Sequence, residues 1–299
     1  MKLATYKHRG RQGFGAVKDD TIIDLAGAAG GRWSNLASLV RDEGFEAAER
    51  AAQNSQATFP LEAVELLPPI PEPGKIICIG LNYRTHIAET GRDTPEFPML
   101  FARYPDSLVG HGHALVRPLV SSKFDFEGEL AVVIGRTARH VPVEKALEFV
   151  AGYSCFNDGS IRDYQRHTTQ FLPGKTFWRS GAFGPWLVTA DEVGALSDLQ
   201  MTTRLNGEIM QRAPVSDLLF GVAELIAYIS AITPLSPGDV IATGTTGGVG
   251  AARKPPVWMR PGDTVEVEIS RVGTLINRVI GEEKLLARQP AESAVDALP

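Results

Sequence analysis

Along most of the chain, hydrophobic positions come in short blocks separated by turn residues, and only two stretches carry a helical spacing. Ala4–Lys7, Gly13–Lys18 and Thr21–Leu25 read as short strands, and the segment from about Ser34 to Ala52 reads as helical. Leu61–Leu67 then runs into Pro68, Pro69, Pro71 and Pro73. Proline has no N–H to give a helix or a sheet ladder, so a domain boundary is expected at this cluster. Beyond Gly74, the runs Lys75–Ile79, Glu129–Ile134, Gly152–Asn157, Asp239–Thr243 and Thr264–Ile269 are spaced by turns, which predicts sheets folded into a sandwich or roll. Pro237-Gly238-Asp239 and Pro261-Gly262-Asp263 each set a Pro-Gly turn before a strand. Ser216–Ile232 is predicted as a helix, with Leu218, Leu219, Val222, Leu225, Ile226 and Ile229 near the 3.6-residue period of a core-facing stripe. The tail from Glu282 to Pro299 is polar and is expected to be loosely held. The fold class expected is α+β and β-rich, with a small N-terminal α/β domain over 1–70, a main domain over 71–281 and a tail over 282–299.

Length agrees with this division, since 299 residues at about 150 per domain make one large domain or two smaller ones. No apolar run approaches the ~20 residues of a membrane-spanning helix, so no membrane partner is expected. Met1–His8 lacks the apolar core of a secretion signal, and a cytoplasmic location is the expectation. With 30 basic against 35 acidic residues and no Lys/Arg-rich block, the chain lacks the clustered cations that displace counterions from nucleic acid. Cys78 and Cys155 are isolated, which excludes a disulfide framework or a CxxC metal knuckle.

Three familiar motifs fail. Gly174-Lys175-Thr176 lacks the first glycine of a phosphate loop, because that position is Thr169. Gly247, Gly248 and Gly250 do not make a dinucleotide fingerprint, and GxSxG is absent. The informative stretch is Asp125-Phe126-Glu127-Gly128-Glu129 followed by Leu130–Ile134. Residues two apart on a strand share a face, so Glu127 and Glu129 present two carboxylates side by side, and like charges that close need neutralising. A second apolar run ends in Asn157-Asp158 and offers a third carboxylate. Hard oxygen donors without Cys or His favour Mg²⁺ or Mn²⁺ over Zn²⁺. Spacing alone also allows a solvated strand edge for the two glutamates and a turn role for Asp158. His86 and Glu89 are three apart and share a face on a helix, either as a surface pair or as a carboxylate-oriented base. Arg162, Gln165 and Lys175 are either surface polar residues or donors aimed at a substrate oxygen.

Taken together, Gly80-Leu81-Asn82-Tyr83 through His86 and Glu89, Glu127-Gly128-Glu129, Asn157 through Gln165, Gly174-Lys175 and Ala242-Thr243-Gly244-Thr245 resemble the fumarylacetoacetate hydrolase family in order and separation over about 70–281. The resemblance implies a mixed β-sandwich roll, a homodimer, and one Mg²⁺ or Mn²⁺ held by Glu127, Glu129 and Asp158. It further implies that His86 with Glu89 activates water or moves a proton, and that Arg162, Gln165 and Lys175 stabilise an enolate or oxyanion. Tyr83, Arg103 and Thr245 are expected to contact substrate. Four positions depart from the family pattern: Arg103 stands where many members have Lys, Gly159 and Ile161 replace a larger residue and an Ala, and Trp178 replaces a frequent Asp. A 2-oxo acid offers its carboxylate and keto oxygens as a chelate to such a metal. The expected activity is hydrolysis of the C–C bond of an acylpyruvate, such as fumarylpyruvate or maleylpyruvate, to pyruvate and a carboxylic acid. Isomerisation or decarboxylation of a 2-hydroxydienedioate or 2-oxo acid uses the same enolate and is the alternative. A non-catalytic metal-binding dimer is the third reading.

Overall fold

The computed structural model describes residues 1–286, so the part of the expected loose tail at 287–299 lies outside the described residues. The chain is β-rich and mixed, as expected. One large sheet runs Thr58–Pro60, Thr21–Asp24, Arg11–Lys18, Lys2–His8, Gly181–Thr189, Val150–Asn157, Gly128–Ile134, Val240–Thr245, Ile76–Gly80 and Met99–Ala102. A second, five-stranded sheet runs Glu208–Pro214, Gln200–Leu205, Thr264–Ile269, Gly273–Gly281 and Leu115–Arg117. The N-terminal hairpin joins the large sheet directly, Leu3 pairing with Leu187.

The central strand Gly128–Ile134 is buried at every residue. Successive side chains point to opposite faces. Leu130, Val132 and Ile134 pack with Met201, Val265, Val267 and Leu275 of the second sheet, while Ala131 and Val133 pack with Leu3, Phe14, Leu36 and Leu39 of the N-terminal segment. Both faces are covered, which is why this run is continuously apolar rather than alternating. Among the described residues no helix is long and apolar enough to cross a membrane.

Two helices differ from expectation. Ser34–Ala52 is not one helix but two, Leu36–Arg41 and Phe45–Asn54. Glu43 takes a left-handed φ of 50° between them, and Gly44 lets the Trp33 ring close in, since a Cβ at 44 would lie 2.3 Å from it. The helix predicted over Ser216–Ile232 starts at Val222 instead. The segment before it spends its backbone elsewhere: Leu218 bridges to Tyr83, and the Leu218 carbonyl accepts from Arg84 Nη1 at 2.7 Å.

The register brings four strand ends to one edge. Gly128 pairs with Asn157, Glu129 pairs with Thr245, and Val240–Thr245 runs parallel to Ile76–Gly80. The start of the central strand therefore lies beside the ends of its two neighbours, with the end of Ile76–Gly80 next beyond Val240–Thr245. That edge carries the polar residues picked out by their spacing.

Candidate active site

Glu127, Glu129 and Asp158 offer carboxylate oxygens that all lie within 4.8 Å of one another, each residue buried. The solvated-edge arrangement is thereby excluded. Around them, Lys175 Nζ donates to both Glu127 Oε2 and Asp158 Oδ2. Arg162 Nη1 pairs with Glu127 Oε1 at 2.6 Å, and Arg103 Nη1 pairs with Asp158 Oδ1. Asp125, fully buried, takes N–H groups from Gly250 and Ala251 at 2.8 and 2.9 Å and Arg162 Nε at 2.8 Å.

The charges do not balance: four buried carboxylates, Asp125, Glu127, Glu129 and Asp158, face three buried cations, Arg103, Arg162 and Lys175. Glu129 carries the excess. Burial, then Asp158 and Glu127, push its carboxyl well above the usual range, and its one backbone donor is Gly244 N–H at 2.8 Å. Glu127 goes the other way, for although burial opposes ionisation, Arg162 and Lys175 hold it below that range. Burial likewise opposes the charge on Lys175, but Asp158 and Glu127 raise it above its ordinary value, so this lysine is a cation at neutral pH and not a base. A divalent cation fits this donor set, which is three hard oxygens with unspent negative charge and no thiolate or imidazole.

Above the carboxylates lies a cavity of about 350 Å³ lined by His86, Glu89, Glu127, Glu129, Arg162, Gln165, Lys175 and Thr245 among others. The helix Arg84–Thr90 brings His86 and Glu89 to it, and His86 Nδ1 lies 3.3 Å from Glu89 Oε2. The other Glu89 oxygen accepts Gly248 N–H at 2.8 Å, which fixes the carboxylate. Asn82 anchors the start of this helix, donating to the carbonyls of Phe220 and Thr243 at 3.0 and 2.8 Å and accepting from Phe220 N–H at 2.9 Å.

Two substrate-contact expectations are corrected. Arg103 does not line the cavity. Its guanidinium is spent on Asp158, Gly159 O, Ser107 and Ser180, so it holds the third carboxylate in place. Tyr83 is also fully buried, outside the cavity lining, and its hydroxyl has no hydrogen-bond partner among the described residues. Thr245 does line the cavity, although its hydroxyl donates inward to Gly128 O at 2.9 Å and accepts from Gln211 at 2.8 Å. Arg162 is tied to carboxylates on both edges, and Gln165 Oε1 accepts from it at 3.0 Å.

Asp125 and Gln211 were missed as site residues. Asp125 heads the acidic motif and had a signal; Gln211, which also accepts Gly128 N–H at 3.0 Å, had none. The small residue after Asp158 is explained by contact, because a Cβ at Gly159 would lie 1.9 Å from the Ser180 carbonyl oxygen. Gly159→Ala is expected to cost about 1–3 kcal/mol through forced backbone movement, seen as a lowered thermal midpoint; an unchanged midpoint would show that this wall gives way freely.

The family model described as fumarylacetoacetate (FAA) hydrolase C-terminal matches residues 75–280, and an N-terminal model, Rv2993c-like, matches residues 1–69. Human oxaloacetate tautomerase FAHD2A, a mitochondrial protein, is 40% identical over 235 residues, covering 78% of this chain and 75% of its own length. A fumarylacetoacetate hydrolase from Exiguobacterium antarcticum superposes with a TM-score of 0.84 at 34% identity, over 94% of this chain and 100% of that one. Maleylpyruvate hydrolase from Sphingobium sp. SYK-6, solved with manganese(II) and pyruvate, superposes with a TM-score of 0.79 at 32% identity, over 94% and 99%. Relatives thus include hydrolases and oxaloacetate tautomerases, and 5-carboxymethyl-2-hydroxymuconate delta-isomerase shares the fold. With a carboxylate triad built for a divalent cation and a match spanning residues 75–280, the chain belongs to the fumarylacetoacetate hydrolase family.

Proposed function

We propose that this protein moves a proton at the carbon beside the keto group of a small 2-oxo dicarboxylate, interconverting keto and enol forms in a divalent-metal-dependent reaction. The observation that carries this reading is that the His86–Glu89 pair lines the same cavity as Glu127 and Glu129, with Asp158 buried directly against them. When bound, Mg²⁺ or Mn²⁺ supplies positive charge for the carboxylate and keto oxygens of the substrate, which lowers the cost of enolate character.

The protein's own residues do the rest. Because Glu89 sits at Nδ1 of His86, the neutral ring keeps its proton there and leaves the Nε2 lone pair to take a proton from carbon and return it. Lys175 and Arg162 fix Glu127 and Asp158 and add positive charge beside the enolate oxygen. Ile79, Leu81, Phe101 and Val249 give the cavity apolar walls that limit water around the reacting carbon. The likeness to oxaloacetate tautomerases makes oxaloacetate the first substrate to test.

Decay of the enol absorbance of oxaloacetate, followed with Mg²⁺ or Mn²⁺, is expected to be faster than in buffer and to return to the buffer rate when the metal is chelated. A rate equal to buffer with every metal would count against the proposal and favour the non-catalytic dimer. Hydrolysis of an acylpyruvate is kept as a second reading because of the likeness to maleylpyruvate hydrolase. In that case His86 would deprotonate water, and pyruvate would appear together with a second acid.

We also propose a homodimer. Tyr104, Leu119, Val120 and Trp178 are exposed, and hydrogen bonds join their segments, Tyr104 N–H donating to the Thr176 side-chain Oγ1 and Val116 N–H to the Arg179 carbonyl. Such a patch is apolar enough to be covered by a second copy. Sedimentation at micromolar concentration is expected to give twice the chain mass.

A further inference from the structure

The site has a charge gradient that the proton-transfer chemistry does not use. Its inner end holds buried carboxylates, whereas Arg92 and Arg166 line the same cavity and are exposed. Among the described residues neither guanidinium takes an ion pair or a side-chain hydrogen bond. Both also line a second cavity, of about 500 Å³, that shares Phe101, Gln165 and Phe171 with the first. The two arginines therefore stand where the chambers join, as do the apolar rings of Phe101 and Phe171. Their anchoring is local: Arg92 follows Gly91, the C-cap of the helix that carries His86, and Arg166 caps the turn Arg162–Gln165. An uncommitted guanidinium presents a planar fork of donors matched to a carboxylate.

We infer that Arg92 and Arg166 form a clamp for the remote carboxylate of the substrate and select 2-oxo acids that carry a second negative charge. This inference rests on the proposed 2-oxo acid reading and adds the residues that set its specificity. The ligand it describes is a molecule with two anionic ends and a carbon chain between them. The 2-oxo end lies at the carboxylate triad, the chain lies between the apolar walls, and the second carboxylate lies at the arginines.

Calorimetry on the Mn²⁺-loaded protein tests this through binding affinity rather than rate. The ligands are 2-oxo dicarboxylates of four, five and six carbons, the same acids esterified at the remote carboxylate, and oxalate, which fills the metal end alone. Wild type should bind at least one diacid about 10- to 100-fold more tightly than its ester, in line with charge-assisted hydrogen bonds at a partly exposed site. In the Arg92→Gln/Arg166→Gln double variant that ratio should fall to near one, with oxalate affinity unchanged. A ratio that survives in the double variant overturns the clamp, as does a wild-type ratio of one at every length. Loss of oxalate binding in step with the diacid also overturns it, because the arginines would then act at the metal end. If wild type binds the diacids by this pattern but catalyses no proton exchange, the clamp stands and the functional reading falls.

Discussion

Glu127→Gln, Glu129→Gln and Asp158→Asn should each weaken Mn²⁺ binding by at least about 100-fold, because each removes an anionic oxygen from a site whose donors are hard oxygens. The metal-free proteins should differ among themselves. Glu127 is paired with Arg162 and Lys175, and removing one partner of a buried pair leaves the others uncompensated, at a cost of about 3 kcal/mol. Among the described residues Glu129 has no cation paired with it, and it lies beside two like charges. Its neutral amide should leave the metal-free protein as stable as wild type or more so. Calorimetric titration with Mn²⁺ and thermal midpoints measured in chelator check both halves. Wild-type affinity in all three variants would remove the metal assignment, and a destabilised Glu129→Gln protein would contradict the charge count.

His86→Ala should lower turnover by about 10²–10⁴, the usual worth of a positioned acid–base group. Mn²⁺ affinity should stay within about twofold of wild type, since the imidazole faces Glu89 and is not part of the carboxylate cluster. Glu89→Gln should fall between the two. It removes the charge that orients the ring, yet an amide oxygen still accepts Nδ1–H. Steady-state rates and Mn²⁺ titrations on the same preparations decide this. A variant that loses its metal together with its activity would make His86 a ligand.

What was legible in the sequence is what local periodicity controls. Period-two spacing put Glu127 and Glu129 on one face, and the antiparallel register then carried Asp158 to them, because Gly128 pairs with Asn157. The three-residue spacing of His86 and Glu89 held because the segment is helical. Misreadings came where distant contacts override a local signal. The apolar stripe before Val222 looks helical, yet Leu218 is drawn into a bridge with Tyr83, 135 positions away in sequence and invisible to any window. Arg103 resembled a substrate ligand by position, but the fold closes it onto Asp158 across 55 residues. The break at Glu43–Gly44 depends on where the Trp33 ring settles. Arg92 and Arg166 have no motif at all, and only the shape of the cavity brings them to notice.

The most direct test of the account is deuterium uptake by oxaloacetate in ²H₂O, followed by proton NMR with Mg²⁺ and catalytic amounts of the protein. Proton transfer at carbon by a fixed imidazole predicts that one of the two C3 hydrogens exchanges faster than in buffer, so that the methylene signal falls quickly by half and uptake slows at one deuterium per molecule, with the four-carbon skeleton intact. Exchange at the buffer rate, running on to two deuteriums per molecule without a pause, would contradict it.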